Sequence, residues 1–292
     1  SWRELHEAKS TNFFGNDNLE WDYPRAYLAS NGDVFGISYN KMWRMDKDNN
    51  YSISQVGEIL LAREGISQIL NDKSKFNKIE KEQAIKLLSI SSSVGYKNNS
   101  VLIGKDKLIV LGGLQLGESF AASNHVNSID FSNIKNPKIE SLKSMNYARA
   151  DSNTTILPTG ELFVNGGYSY QNDLLYSVFV PEIYDPTANR WKELANGGHF
   201  RRGYHAASLL LPDGSILISG GDVWNSEIFY PPYLFEEDSN GKSIPAKRPE
   251  IKEIEKIIKK RQKIEMVVDD NKNIDKISLI STGSKTHAQG SE

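Results

Sequence analysis

The sequence predicts an all-β fold built from a repeated strand-turn-strand unit. Three observations carry that prediction: Gly-Gly pairs at a fixed interval, a Pro-x-Gly reversal ahead of two of them, and a composition suited to short strands. Gly112-Gly113, Gly166-Gly167 and Gly220-Gly221 are 54 residues apart in both steps, and each ends an apolar run, "DKLIVLGG", "GELFVNGG" and "GSILISGG". The last two runs follow "LPTG" and "LPDG". Pro-x-Gly supplies a tight reversal, and paired glycines accept positive φ or a close backbone approach, so each copy reads as a hairpin. The 13 Tyr, 11 Phe, 5 Trp and 22 Gly favour such strands and turns over a helical bundle.

Taken in order, the first copy is loose: "WDYPRAYLASNGDVFGIS", residues 21–38. Residues 56–89 carry helix-like spacing and charge, which predicts a helical insertion on a loop. Outer strands follow the Gly pairs at similar offsets, as in "EIYDPTANRWKEL" (182–194), and "SWRELHEAK" at the start resembles the tail of one more unit. A four-stranded unit of about 50 residues is the mark of a kelch-type propeller blade, and about four are present over 1–245. Near 246 the pattern stops, which predicts a domain boundary and a further domain over 246–292. There "KIEMVVDDNKNIDKISLISTGSKTH" reads as two alternating strands around an Asp/Asn turn. "IKEIEKIIKKRQKIE" has helical propensity but is assigned to strand because its surroundings are β.

Charge and composition narrow the function classes. A net charge of −2 with interspersed signs offers no surface for a nucleic-acid backbone. No apolar run is long enough to span a bilayer, and the first residues lack the pattern of a signal peptide. With no Cys, thiolate metal sites, disulfides and cysteine nucleophiles are excluded within these residues.

The residues with chemistry cluster at one motif, "RRGYHAASLLLPDGSILISGG" (201–221). Tyr204 and His205 stand immediately before a strand, and one period earlier the same places hold Ala150 and Asp151, so the blade itself does not require the pair. Adjacent strand residues face opposite sides, so both side chains reach one ion only where alternation has not begun. Phenolate oxygen with imidazole nitrogen suits Cu(II) better than calcium. The competing reading is a hydrogen-bonded rim pair with no metal. His6, His125 and His199 lie in polar segments and read as solvated, whereas His287 ends an apolar run and either projects into a channel or caps a strand.

The combination of "RRGYHAASLLLPDGSILISGG", "EIFYPPYLF", "RPEI" and "ISLISTGSKTH" resembles the galactose oxidase and glyoxal oxidase family, the copper radical oxidases. That resemblance implies a partial seven-bladed propeller followed by the start of an Ig-like β-sandwich. It implies copper as cofactor, with Tyr204 as the axial tyrosine that takes the substrate proton, and His205 and His287 as ligands. Arg149 aligns with the arginine that holds substrate hydroxyls, though it also reads as an ordinary solvated rim arginine; Asp151 shares the rim and either orients a ligand or pairs with Arg149. The implied reaction oxidises a primary alcohol or aldehyde, sugar or small molecule, with O2 to give H2O2, in a secreted or cell-surface protein. The family also uses a tyrosyl radical on a cysteine-linked tyrosine, and this chain has no Cys. Two explanations fit, an excerpt of a longer oxidase or a truncated or degenerate relative that lacks the radical; the expectation is the excerpt, without turnover by itself. The alternative is a non-catalytic kelch propeller that binds a glycan or protein through its rim.

Overall fold

The computed structural model describes residues 2, 4–14, 24–59, 94–95, 98–115, 121–170, 174–198, 200–221, 223–257, 259, 262–269, 274 and 277–280. Its elements are antiparallel meanders, each a blade of the expected kind. The first sheet joins β1 (Arg25–Leu28), β2 (Val34–Ser38), β3 (Lys41–Asp46) and β4 (Ser52–Glu58). The second joins β5 (Asn99–Leu102), β6 (Lys107–Leu111), β7 (Val126–Asp130) and β8 (Lys138–Leu142). The third joins β9 (Ala150–Ile156), β10 (Leu162–Tyr168), β11 (Glu182–Asp185) and β12 (Arg190–Glu193). The fourth holds β13 (Ala206–Leu210), β14 (Ile216–Gly220) and β15 (Ser226–Phe229), three strands among the described residues.

The hairpin that starts a unit is the same device in three sheets. The Gly32 N–H donates to Ala29 O, that of Gly160 to Leu157 O and that of Gly214 to Leu211 O, at 2.9, 2.8 and 2.9 Å. Their φ values of +91°, +83° and +83° lie in the left-handed region where Gly is cheapest, which is why the sequence repeats it there.

Alternation along the second strand of each sheet assembles the core. In β6, Leu108 and Val110 pack with Phe35, Ile37 and Met42 of the first sheet, whereas Ile109 and Leu111 pack with Ile156, Leu162 and Val164 of the third. In β10 the odd residue out, Phe163, turns the other way, onto Ile216 and Ile218 of the fourth. A strand buried on both faces loses its polar alternation, so "KLIVL" reads as a continuous apolar run. The outermost strands are exposed on most positions, as β8 and β12 show.

First strands of successive sheets lie side by side and are stitched by polar side chains. Tyr27 and Ser100 share a 2.7 Å hydroxyl bond, Asn99 Nδ2 donates to Ser152 O at 2.7 Å, and Thr155 Oγ1 donates to Ser208 O at 3.3 Å. Their polar sequence, "ADSNTTI" in β9 for example, goes with central positions that are only partly buried, Asp151 to Thr154, rather than packed in a core between sheets.

Several expectations change. Residues 56–58 of the expected helical insertion belong to β4, and 60–93 lie outside the described residues. His6–Ala8 forms a single 3-10 turn rather than the outer strand expected of "SWRELHEAK". A one-turn helix, α1 (Thr11–Phe14), follows.

Beyond the fourth sheet the chain folds back on its turn. Tyr233 Oη and Arg248 Nη1 donate to Gly214 O and Asp213 O, so "PPYLF" and "RPE" clasp "LPDG". Two short hairpin pairs follow, β16 (Phe235–Glu237) with β17 (Ser243–Pro245), and β18 (Ile251–Ile254) with β19 (Met266–Val268). Of "IKEIEKIIKKRQKIE", assigned to strand, only Ile251–Ile254 is strand among the described residues, and β19 pairs with β18 rather than with a strand near 277, because Ile277–Ile280 carries no strand. Ile280 instead packs against the core between the second and third sheets.

Candidate functional site

The end of the sheets bearing the Gly pairs is where the sequence concentrates its chemistry, and the glycines explain why the geometry repeats. The Gly113 and Gly167 N–H groups donate to Arg149 O and Arg202 O of the next sheet at 2.8 and 2.7 Å. A Cβ on Gly112 or Gly166 would sit 2.3 or 2.2 Å from those same carbonyls, so no larger residue fits. Each Gly pair thus fixes the backbone from which the next sheet begins.

Those two carbonyls belong to arginines with one shared design. Arg149 is fully buried; its Nε and Nη2 donate to Glu182 Oε2 at 3.2 and 2.8 Å, Nη1 to Gly166 O at 3.0 Å, and Nη2 to Val180 O. Arg202 donates from Nε and Nη2 to Glu227 Oε2 at 3.0 and 2.7 Å, and from Nη1 to Gly220 O at 2.9 Å. The register makes the acids equivalent: Glu182 faces Val164 as Glu227 faces Ile218. In the second sheet Asn127, opposite Val110, stands in the same place, and its Oδ1 accepts from Val94 N–H at 3.3 Å. Burial lowers the Arg149 pKa, and Glu182 opposes that shift.

This corrects the expectation for Arg149. Neither a substrate-facing fork nor a solvated rim arginine is present: the guanidinium turns inward and its donors are taken by a carboxylate and two carbonyls, with the Tyr147 ring 5.7 Å away. A buried charge needs such partners, and four of the five guanidinium donors are committed to them. Asp151 likewise is not the partner of Arg149; its Oδ2 accepts from Tyr168 Oη at 2.9 Å.

Tyr204 and His205 stand at the start of the fourth sheet, in a turn closed by the Ala206 N–H donating to Gly203 O at 3.0 Å. His205 has φ of +61° and Asp151, one period earlier, +51°; these are left-handed conformations for residues other than Gly. The left-handed residue interrupts alternation, and the Tyr204 and His205 rings lie together with centroids 3.8 Å apart and 31° between planes. His205 is exposed and Tyr204 half-buried. An oxygen and a nitrogen donor therefore share one side of the rim. At the equivalent place Ala150 is buried and Asp151 is engaged by Tyr168.

The remaining histidines separate from this pair. His125 is part-buried, its Nδ1 3.2 Å from Ser144 Oγ, and burial lowers its pKa, so it is not the solvated loop residue expected. His6 is exposed beside Glu4 at 3.4 Å, while His199 and His287 lie outside the described residues. Among the described residues no group of three or more His, Asp or Glu could hold a metal. The Arg-Glu pins are not among the sequence-based expectations, although the sequence carries a signal for them: Glu182 and Glu227 both open a Glu-Ile-aromatic triplet, "EIY" and "EIF".

Comparison with known proteins agrees with the fold. No family model matches the chain. The chain is 30% identical over 196 residues to a galactose oxidase of Gibberella zeae, covering 63% of this chain and 28% of the relative. It is 30% identical over 167 residues to the aldehyde oxidase GLOX1 of Arabidopsis thaliana, covering 48% of this chain and 27% of the relative. It thus spans under a third of the length of these curated relatives. A solved fungal alcohol oxidase of the AA5 family, in complex with copper, superposes with a TM-score of 0.59 at 16% identity, over 92% of this chain and 64% of that one. In sequence, then, this chain is similar over part of its length to a galactose oxidase and an aldehyde oxidase, and in fold to a copper-complexed alcohol oxidase.

Proposed function

We propose that the whole protein is a copper radical oxidase that converts a primary alcohol or aldehyde, with O2, into the oxidised product and H2O2, and that Tyr204, His205 and His287 are its metal ligands in this chain. The observation that carries the proposal is the Tyr204 and His205 pair itself: two donor rings 3.8 Å apart, on a scaffold whose neighbouring copy has Ala150 and Asp151 instead. Phenolate and imidazole are the donor types that suit Cu(II). Bound copper supplies one-electron redox chemistry and Lewis acidity at the substrate oxygen.

The chain's own residues divide the remaining work. The Tyr204 oxygen accepts the hydroxyl proton of the substrate as a general base. The His205 imidazole holds the metal from the rim. His287 lies seven residues beyond Ile280, a segment that spans at most roughly 24 Å when extended, and Ile280 is anchored on the core between the second and third sheets. A third ligand delivered from beyond residue 246 into the axis agrees with that tether, and with the reading of 246–292 as the start of a sandwich domain. Oxidation of an alcohol by two electrons also needs a second acceptor. The cysteine-linked tyrosine of the family needs a Cys, and these 292 residues hold none, so none of the ligands assigned here supplies that second acceptor.

Arg149 has no part in substrate binding under this reading, because its fork is committed to Glu182, Gly166 and Val180. Exposed aromatics at the same end, Phe200 and Trp224, remain to meet a sugar or small alcohol. A secreted or cell-surface location is part of the proposal; no helix among the described residues is long and apolar enough to cross a membrane. The test is copper titration of the full-length protein beside its His205→Ala and His287→Ala variants, with peroxide measured from galactose and methylglyoxal. Stoichiometric copper lost in both variants, with peroxide formed by the parent, is the expected result. Absence of copper binding overturns the metal assignment in favour of a glycan- or protein-binding propeller.

A further inference from the structure

We propose that Arg202 is a positioning residue for the Tyr204 and His205 pair, an inference that rests on the copper reading above for its functional meaning but not for its geometry. The Arg202 guanidinium has five N–H donors, and five bonds are made. Two run to Glu227 Oε2 and one to Gly220 O; the others run from Nη1 to Asn225 O and from Nη2 to Asn225 Oδ1, both at 3.1 Å. The Arg202 carbonyl is held from the other side by the Gly167 N–H of the third sheet at 2.7 Å. Arg202 therefore ties together the end of β14, the start of β15 and the neighbouring sheet.

The path from this pin to the pair is short. Gly220, whose carbonyl Arg202 grips, lies under the backbone of His205: a Cβ there would meet His205 O at 2.7 Å, and Gly220 faces Ala206 in the β13–β14 register. Gly221 packs on Arg202 Cα and the Gly203 N–H in the same way, at 3.1 and 3.0 Å from an added Cβ. The segment from Gly203 to Ala206 is thus clamped between the Gly pair and Arg202, and this clamp holds His205 at φ +61° with its ring against Tyr204. Arg149 makes the same clamp in the third sheet, where Ala150 and Asp151 take the place of the pair. It serves as a graded comparison: it has no donor pair of its own to position, and it reaches the fourth sheet one step removed, through Gly166 and that glycine's contact with the Arg202 carbonyl.

The experiment compares Arg202→Lys with Arg149→Lys in the full-length protein; lysine keeps the charge but not the planar fork. Copper affinity, the Cu(II) paramagnetic resonance spectrum and the crystal structure of the metal-free variant are read, with Glu227→Gln as a second route should Arg202→Lys fail to fold. The expected result is a loss of copper affinity of about tenfold or more and an altered spectrum for Arg202→Lys, with a clearly smaller loss for Arg149→Lys, which acts one sheet away. The metal-free Arg202→Lys structure is expected to show the Tyr204 and His205 rings parted from their 3.8 Å contact. Unaltered ring geometry in that structure overturns the inference whether or not the protein binds copper. Equal loss of affinity in both variants also overturns it, since the clamp would then act only through general stability. Failure of the unaltered protein to bind copper, with the rings parted in Arg202→Lys, overturns the copper reading alone and leaves the positioning role standing.

Discussion

The third and fourth sheets begin with the same machinery and end with different chemistry. Each has a Gly pair that fixes the incoming backbone, an arginine pinned by a glutamate on the third strand, and a left-handed residue just past the arginine. On that common frame the third sheet carries Ala150 and Asp151, with Asp151 bonded to Tyr168, while the fourth carries Tyr204 and His205 with their rings in contact. The difference shows which residues the blade needs and which it merely holds. Arginine and glutamate recur in both sheets as one buried pin, so an arginine at this end is not by itself a ligand group; the tyrosine and histidine do not recur, so the shared frame does not explain them.

The largest expected effect comes from stranding the buried charge of the third sheet. Glu182→Ala leaves Arg149 without its carboxylate in a site where both side chains are 0% exposed, and should cost about 3–5 kcal/mol in urea unfolding. The corresponding Glu227→Ala should cost less, about 1–3 kcal/mol, because Glu227 keeps 26% of its side-chain exposure. Equal losses would break the idea that burial separates the two pins. Gly166→Ala should cost about 1–3 kcal/mol by the same measurement, since its φ of +67° and the Arg202 carbonyl both exclude a side chain. A neutral result there would show that the backbone of the fourth sheet is not fixed by the Gly pair of the third.

The smallest effect concerns His125. Burial holds the His125 pKa below its usual value, so the folded state binds its proton less readily than the unfolded chain. The stability this contributes is present above the unfolded value of about 6.5 and is lost as pH falls from there through the lower folded value. His125→Gln should flatten the stability profile in that window, as thermal melts across pH would record. A profile unchanged by the substitution would contradict the burial of His125.

Much of the scaffold is legible in the amino-acid sequence alone. The 54-residue spacing of the Gly pairs, the "LPTG" and "LPDG" reversals and the run "KLIVL" each state a local requirement of backbone or core, and each appears where the sequence puts it. The Tyr204 and His205 junction is legible for a similar reason, since only a break in alternation brings neighbouring side chains to one side. The buried pins are not, because Arg and Glu ordinarily read as solvated and their partners are distant in sequence; Glu182 is 33 residues from Arg149. The same bias makes His125 look solvated. The pairing of β19 with β18 is hidden because an Asp/Asn turn signals a local reversal but does not say which strand the chain returns to.

Giving the fourth sheet the residues of the third, Tyr204→Ala with His205→Asp in the full-length protein, and then measuring copper binding puts the contrast between the two sheets to its sharpest trial. Alanine and aspartate already occupy these positions one period earlier, with Asp151 at φ +51°, so the variant should fold and melt close to the parent. The expected outcome is a parent that binds one copper and a folded variant that binds none. A folded variant that retains stoichiometric copper would contradict the role given to Tyr204 and His205, since the metal would then be held without the donor pair that distinguishes the beginnings of the two sheets.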